Sequence, residues 1–451
     1  MIIDLTKFME SLSTAVDYVE NEFVKLSPYH GRRTAVLTCL MAEAAGMEPD
    51  EKYAATHLAL LHDCAIAEYL KDEKVNEAMP VTENLLSAHC LAGEEMLKDL
   101  PFHRYAPGTI LYHHERADGK GAFGKYPDEI PLSAQLIHMA DVIDVKFSLY
   151  DLDEEKYRDI LAWVGENAGT VFSEECASLF TKAVSIELLR SVAGDGCKTV
   201  LKELIPDRQE DIPVEVLKKM AMVFAKVTDY KSPFTRRHSV GIAEKAYEMG
   251  RYYGYPEEER EKLYIAGALH DVGKLLVNNN ILEKPGKLSP DEYKVIQNHA
   301  MGTWNLLYGI RGMEDITDWA ANHHEKLDGS GYPYGKKADE LGKNERLLAC
   351  LDIYQALVED RPYKSGMPHG QAMEILNKMG QSGQLDTDIL KDIDDCFGGS
   401  GIKEDRQEPV KAPALSGWKC PVCGYVYEGD ELPENFICPD CEQPGSIFEK
   451  I

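Results

Sequence analysis

Apolar residues recur along most of this chain at three- and four-residue intervals, while strand-like alternation is scarce before the C-terminal tail. From Val214 to Val227, for example, Val216, Leu217, Met220, Val223, Phe224 and Val227 fall on one stripe, as an amphipathic helix requires. The pattern predicts a mainly α body. Its punctuation occurs twice: a glycine stop at Gly46 or Gly254 is followed by Pro49-Asp50-Glu51 or Pro256-Glu257-Glu258. Proline and acidic residues suit a helix start, where a missing amide donor is harmless and negative charge meets the positive end of the dipole. Each predicted helix runs up to a His-Asp pair, His62-Asp63 or His270-Asp271.

Those pairs belong to a longer repeat. The first set is His30, His62-Asp63, His89, His113-His114 and Asp141; the second is His238, His270-Asp271, His299, His323-His324 and Asp352. Subtraction gives steps of 32, 27, 24 and 27 residues in the first set (30 to 62, 62 to 89, 89 to 113, 114 to 141) and 32, 29, 24 and 28 in the second. Ten of the fourteen histidines fall in this rhythm, so the chain reads as a duplicated metal-binding domain. The copies are expected at residues 1–205 and 213–400, divided by the polar, proline-bearing stretch IPDRQEDIP, with a linker at 401–416 and a separate domain at 417–451. Seven imidazole and carboxylate donors exceed what one ion takes, so two divalent transition ions per copy are implied. The aspartate of each His-Asp pair has two oxygens and is the natural shared ligand. Ions about 3.5–4 Å apart can carry a bridging hydroxide and stabilise both the attacking and leaving oxygens of a phosphoester.

Composition narrows the partners. With 451 residues the chain can bury two or three cores, and 49 basic against 77 acidic side chains give a formal charge of −28. That charge opposes long-range attraction to DNA or anionic lipid, so a phosphate substrate needs a local positive site. No apolar run is long enough for a membrane span and MIIDLTKFME is no secretory leader, which together predict a cytoplasmic protein. Cys39, Cys64, Cys90, Cys176, Cys197, Cys350 and Cys396 are scattered and are expected to be reduced core thiols. His57, His103, His138 and His369 lie outside the repeat and read as packed or solvated side chains.

The motifs HDVGK (270–274), ILEKPGKLSPDEY (281–293), HHEKLDGSGYP (323–333) and RPYK (361–364) closely resemble the HD-GYP family of cyclic dinucleotide phosphodiesterases, over residues 213–400. The resemblance implies a fold of tandem all-helical HD domains. It implies one ion, iron or manganese, on His238, His270, Asp271 and Asp352, and another on Asp271, His299, His323 and His324. Lys274 would act with Asp271 in catalysis and meet the phosphate, and Arg361 and Lys364 would bind the substrate. Gly329, Gly331, Tyr332 and Pro333 would shape the loop beside the paired histidines. Some members hold a third ion on a glutamate four residues before the first histidine; here that position is Phe234, so two ions are expected. The first copy keeps all seven ligands (His30, His62, Asp63, His89, His113, His114, Asp141) but has Ile66 for Lys274 and Tyr150 and Asp153 for Arg361 and Lys364. It should bind metal and hydrolyse cyclic dinucleotides weakly or not at all.

The tail, WKCPVCGYVYEGDELPENFICPDC (418–441), contains two Cys-x-x-Cys pairs, whose thiolates Cys420, Cys423, Cys438 and Cys441 make a tetrahedral set for iron or zinc. It resembles the small β-rich rubredoxin-like domain of rubrerythrins, which implies one redox-active iron and a redox partner. The whole reads as a phosphodiesterase acting on cyclic di-GMP or cyclic GMP-AMP through a metal-bridged hydroxide, redox-regulated by its tail and able to form oligomers. A di-iron redox or oxygen sensor with little turnover is the alternative.

Overall fold

The computed structural model describes residues 1–66, 83–98, 100–102, 104–205, 208–231, 238–282, 284, 286–360 and 365–398, together with three short strands in the tail. The chain divides into two compact units, Met1–Ile393 and Asp394–Ile451. Both copies of the histidine-aspartate repeat lie in the first.

In the first copy α1 (Leu5–Val24), α2 (His30–Ala44), α3 (Pro49–Leu60), α4 (Glu83–Leu97) and α5 (Leu132–Phe147) carry or frame the ligands. Four further helices follow: α6 (Glu154–Asn167), α7 (Glu174–Ala183), α8 (Ile186–Val192) and α9 (Gly196–Leu204). Asp153, Ser173 and Ser185 begin α6, α7 and α8, each side chain accepting a bond from an amide of the first turn. The second copy repeats the frame with α10 (Val214–Lys231), α11 (His238–Tyr252), α12 (Glu257–Leu269), α13 (Asn279–Leu282), α14 (Pro290–Leu307), α15 (Glu314–Ala321), α16 (Lys343–Val358) and α17 (His369–Gln381). The predicted punctuation is present. Gly46 and Gly254 take φ of +72° and +68° after α2 and α11, Pro49 occupies the first turn of α3, and Glu257, Glu258 and Glu259 fill that of α12. Ser289 and Glu292 close a capping box on α14.

In both copies the helix bearing the first histidine packs against the helix that ends at the His-Asp pair and against the one bearing the last aspartate: α2 on α3 and α5, α11 on α12 and α16. The copies are also joined to each other. Helix α1 lies against α10, α14 and the 3-10 turn Val272–Leu276, and the buried rings of Phe8 and Phe224 meet edge to face at 5.1 Å. Strand β1 (Ile2–Asp4) pairs antiparallel with β2 (Gln209–Asp211), Ile2 opposite Asp211. The Asp4 amide donates to the Arg311 carbonyl at 3.1 Å, and Arg311 reaches the Asp4 carboxylate at 3.3 Å. The β1–β2 pair was not expected: Gln209-Glu210-Asp211 is polar throughout, so no alternation marks it.

Cys39, Cys64, Cys90, Cys176, Cys197 and Cys350 are buried and in no disulfide, in agreement with the reading of core thiols, whereas Cys396 is half-buried. Among the described residues no helix is long and apolar enough to cross a membrane. In the tail, β3 (Gly417–Lys419) lies between β4 (Val426–Glu428) and β5 (Glu449–Lys450), antiparallel to both, with Trp418 opposite Tyr427. The four tail cysteines, the linker 401–416, Phe234, His103, Arg361 and Lys364 lie outside the described residues.

Candidate metal centres

Each copy brings its seven sequence-predicted ligands to one buried place. In the second, His238 opens α11, His270 follows the last residue of α12, His299 sits within α14, His323 and His324 follow α15, and Asp352 lies on α16. His238 Nε2 is 3.0 Å from Asp352 Oδ1, and His324 Nδ1 is 3.4 Å from Asp352 Oδ2. Asp271 turns its two oxygens to different neighbours: Oδ1 lies 3.4 Å from His299 Nε2 and 3.8 Å from His323 Nε2, and Oδ2 lies 3.1 Å from His270 Nε2. In the first copy Asp63 Oδ1 is 3.2 and 3.4 Å from Nε2 of His89 and His113, and Oδ2 is 3.5 Å from His62 Nε2. Asp141 lies 3.3 Å from His30 Nε2, 3.7 Å from His62 Nε2 and 3.9 Å from His114 Nδ1.

The local fold orients these rings. His62, His113, His270, His299 and His323 each donate an Nδ1–H to the carbonyl three residues earlier, at 2.6–2.9 Å. That bond fixes the tautomer and leaves the Nε2 lone pair facing the cluster. Nε2 of His30, His62 and His270 and Oδ1 of Asp63 and Asp271 are buried with no hydrogen-bond partner. Buried polar atoms are seldom left so, and a convergent set of neutral imidazoles and carboxylates with free lone pairs fits divalent transition ions.

Electrostatics agree on the side of the paired histidines, whereas against burial Asp352 and Glu359 raise His238 to about 9, and carboxylates likewise raise His30, His89 and His113 in the first copy. Burial pushes His299 down to about 3 and also lowers His323 and His324, so these rings are neutral at pH 7, the form a metal requires. Burial alone would raise Asp271, but His270 and Lys274 hold it well below the usual carboxylate range. Lys274 Nζ sits 2.5 Å from Asp271 Oδ2 on a side chain 19% exposed, a cation at the rim of the cluster. In the first copy Ile66 brings no charge, Asp153 is the cap of α6 and Tyr150 is exposed, so the cations are absent from those positions.

The loop beside the paired histidines depends on its glycines. A Cβ on Gly331 would lie 2.4 Å from the Lys326 amide nitrogen and 2.6 Å from the His324 carbonyl, and Gly329 has φ of +79°. Gly121 is equally close to Glu115, Arg116 and His114 in the first copy. Only the second copy has a ring there: Tyr332 packs on His324 at 4.7 Å and faces His299 at 6.2 Å.

Sequence reasoning missed the residues that hold the ligands. Glu325, buried, accepts the amides of Tyr334 and Lys336 at 2.7 and 2.9 Å, and Glu115 does the same for Phe123 and Lys125. The shared His-His-Glu triplets could have revealed this pair. His30 Nδ1 meets Asp144 at 2.7 Å, whereas His238 Nδ1 meets Glu359 at 3.1 Å. These carboxylates sit three and seven residues past the last aspartate (144 minus 141, 359 minus 352), so the repeat could not find them. Arg33 fills the space beside Asp144 with a bidentate bond; three residues past His238 the chain has Gly241, where a Cβ would stand 2.3 Å from Gln355 Nε2.

A model described as "HD domain" matches residues 20–150 and 222–389, and one described as "Rubrerythrin, rubredoxin-like domain" matches 418–449. The chain is 30% identical over 370 residues to a 3'3'-cGAMP-specific phosphodiesterase of Vibrio cholerae, covering 80% of this chain and 85% of that protein. It is 30% identical to a cyclic di-GMP phosphodiesterase of Pseudomonas aeruginosa over 41% of this chain and 45% of the relative. A solved cyclic GMP-AMP specific phosphodiesterase of V. cholerae superimposes with a TM-score of 0.60 at 22% identity, covering 89% of this chain and 99% of that one, which shows a shared fold. With the repeated match falling on both buried histidine-aspartate clusters, the chain belongs to the HD domain family and carries a rubredoxin-like segment behind its two copies.

Proposed function

We propose that the second copy, of HD-GYP type, hydrolyses a cyclic dinucleotide, 3'3'-cGAMP or cyclic di-GMP, to the linear dinucleotide or the mononucleotides. The observation that carries this reading is Lys274 Nζ at 2.5 Å from Asp271 beside seven converging ligands. His238, His270, Asp271 and Asp352 would hold one ion and Asp271, His299, His323 and His324 the other, iron or manganese in each case. Divalent ions in such a pair supply Lewis acidity and a nucleophile near neutral pH. The protein does the rest. Backbone carbonyls orient the imidazoles, Glu325 holds the loop that places Tyr332, and Lys274 offsets charge on the phosphoryl oxygens. Arg361 and Lys364 are assigned to the substrate's remaining phosphate charge. The same cations favour turnover over a pure sensing role, which has no need of them.

Lys274→Ala is the direct test. Hydrolysis of both dinucleotides should fall ~10²–10³-fold with metal content unchanged, because a charge that stabilises the transition state is gone and all seven ligands remain. Unchanged turnover would remove Lys274 from the reaction.

Four cysteines at rubredoxin spacing support one iron in the tail, with an electron partner, and the free thiols support a reducing cytoplasmic setting. Activity should then differ between reduced and oxidised protein, and that difference should vanish when Cys420 and Cys423 are replaced by Ser. Equal activity in both redox states would end the regulatory reading.

A further inference from the structure

At two positions the first copy has a donor where the second has none, one at each end of its cluster, although the second carries a different buried carboxylate, Asp229, acted on by Asp271, His238 and His270. Cys90, fully buried, follows His89, with Sγ 3.8 Å from His89 Nε2 and 3.6 Å from His113 Nδ1, the nitrogen that also meets the Ile110 carbonyl. Nε2 of His89 lies 3.4 Å from that of His113 and 3.1 Å from that of His114, and one donor atom from each of the four residues falls within 4.8 Å of the others. Sulfur and nitrogen donors on one tetrahedral ion stand roughly 3.5 Å apart, close to the 3.8 Å between Cys90 Sγ and His89 Nε2. At the other end is Glu20, 1% exposed, with neither carboxylate oxygen bonded to any donor. His30 and Asp63 are among the charged groups that act on it.

The second copy differs at both points. The residue after His299 is Ala300, and ten residues before the first histidine (30 minus 20, 238 minus 228) Glu20 is replaced by Thr228, whose hydroxyl donates to the Phe224 carbonyl at 2.8 Å. These changes accompany the loss of Lys274's counterpart.

We infer that the first copy is a coordinatively closed metal centre: Cys90 is a thiolate ligand with His89, His113 and His114, and Glu20 is a carboxylate ligand beside His30, His62 and Asp63. A catalytic site keeps one position free for water or substrate, and four protein donors around one ion leave none. The thiol proton departs to solvent as the sulfur–metal bond forms, and a thiolate shifts preference towards softer, redox-active ions. The first copy is thereby a resident metal site distinct in chemistry from the second, and cyclic dinucleotides are excluded from it by filled coordination as well as by the missing cations.

This inference rests on the HD copies holding metal, and cobalt(II) loading of the full-length protein separates the two. In Cys90→Ala, which installs the second copy's residue, a thiolate-to-cobalt charge-transfer component should disappear from the spectrum while the signal of the four tail cysteines remains. In Glu20→Thr, read in an Asp271→Asn background so that retention reports the first copy, cobalt affinity should fall at least ~10-fold. Superimposable spectra for Cys90→Ala, or equal cobalt affinity for Glu20→Thr, would overturn the closed centre while leaving the second copy's proposed chemistry untouched. Protein that takes up no cobalt beyond its tail would overturn both.

Discussion

Asp271→Asn should abolish cyclic dinucleotide hydrolysis, to below ~0.1% of the unmodified rate, and empty the second copy of metal. Its two carboxylate oxygens face different parts of the cluster, Oδ1 towards His299 and His323 and Oδ2 towards His270 and Lys274. An amide keeps the shape but loses the charge and half of the acceptor capacity, and it places a donor against rings whose lone pairs already converge. Both ions lose a ligand at once, so the loss exceeds that for Lys274→Ala, where every metal donor survives. Elemental analysis beside a turnover assay distinguishes them: Asp271→Asn loses metal and activity together, Lys274→Ala activity alone. Retention of two ions by Asp271→Asn would show that the aspartate is no shared ligand.

Gly273→Ala, a single methyl in the same motif, should destabilise the fold by about 3 kcal/mol or more. Its Cβ would stand 1.9 Å from the His299 carbonyl oxygen and 2.4 Å from the Thr303 amide nitrogen, both backbone atoms of α14. No side-chain rotation relieves such a clash, so the turn Val272–Leu276 must lift from the helix. That would also break the bonds from the Gly273 amide to Thr303 Oγ1 at 3.0 Å and from that hydroxyl to the His270 carbonyl at 2.8 Å. Denaturant unfolding of the chelator-treated protein isolates the packing effect from metal stabilisation; a midpoint within error of the unmodified protein would contradict the close approach. The first copy has Ala65 at the matching position and Gly93 on the facing helix, so the extra methyl is accommodated by a glycine opposite, with 4.0 Å between Ala65 and a Cβ built on Gly93. The two copies fill one gap with opposite choices of small residue.

Much of the site is legible in the order of the residues. Ligands of one ion pair must recur at the spacing of the helices that carry them, and duplication printed that spacing twice. Thus His238, His270, Asp271, His299, His323, His324 and Asp352, and their seven counterparts, stand out by spacing and do converge. The helices are equally legible, because Pro49, Pro256 and the capping box at Ser289 act on their own turns. The partners behind the ligands are not. Asp144 and Glu359 meet equivalent histidines from unequal positions, and Cys90 is indistinguishable by spacing from the other core thiols, although its sulfur lies against His89. Such contacts depend on where side chains from separate helices end, and no local preference encodes that.

The amino-acid order alone therefore determined the helical class, the double set of histidines and aspartates, the one copy supplied with Lys274 and the four-cysteine tail. These follow from residue type, short-range capping and a period that repeats. Tertiary structure decided that α1 and β1 bind the copies into one unit, which oxygen of each aspartate faces which imidazole, that Glu20 is buried without a partner and that Cys90 lies against His89. The reason is that packing and buried charge act across hundreds of residues of chain, where only the folded arrangement states which groups must share a space without water.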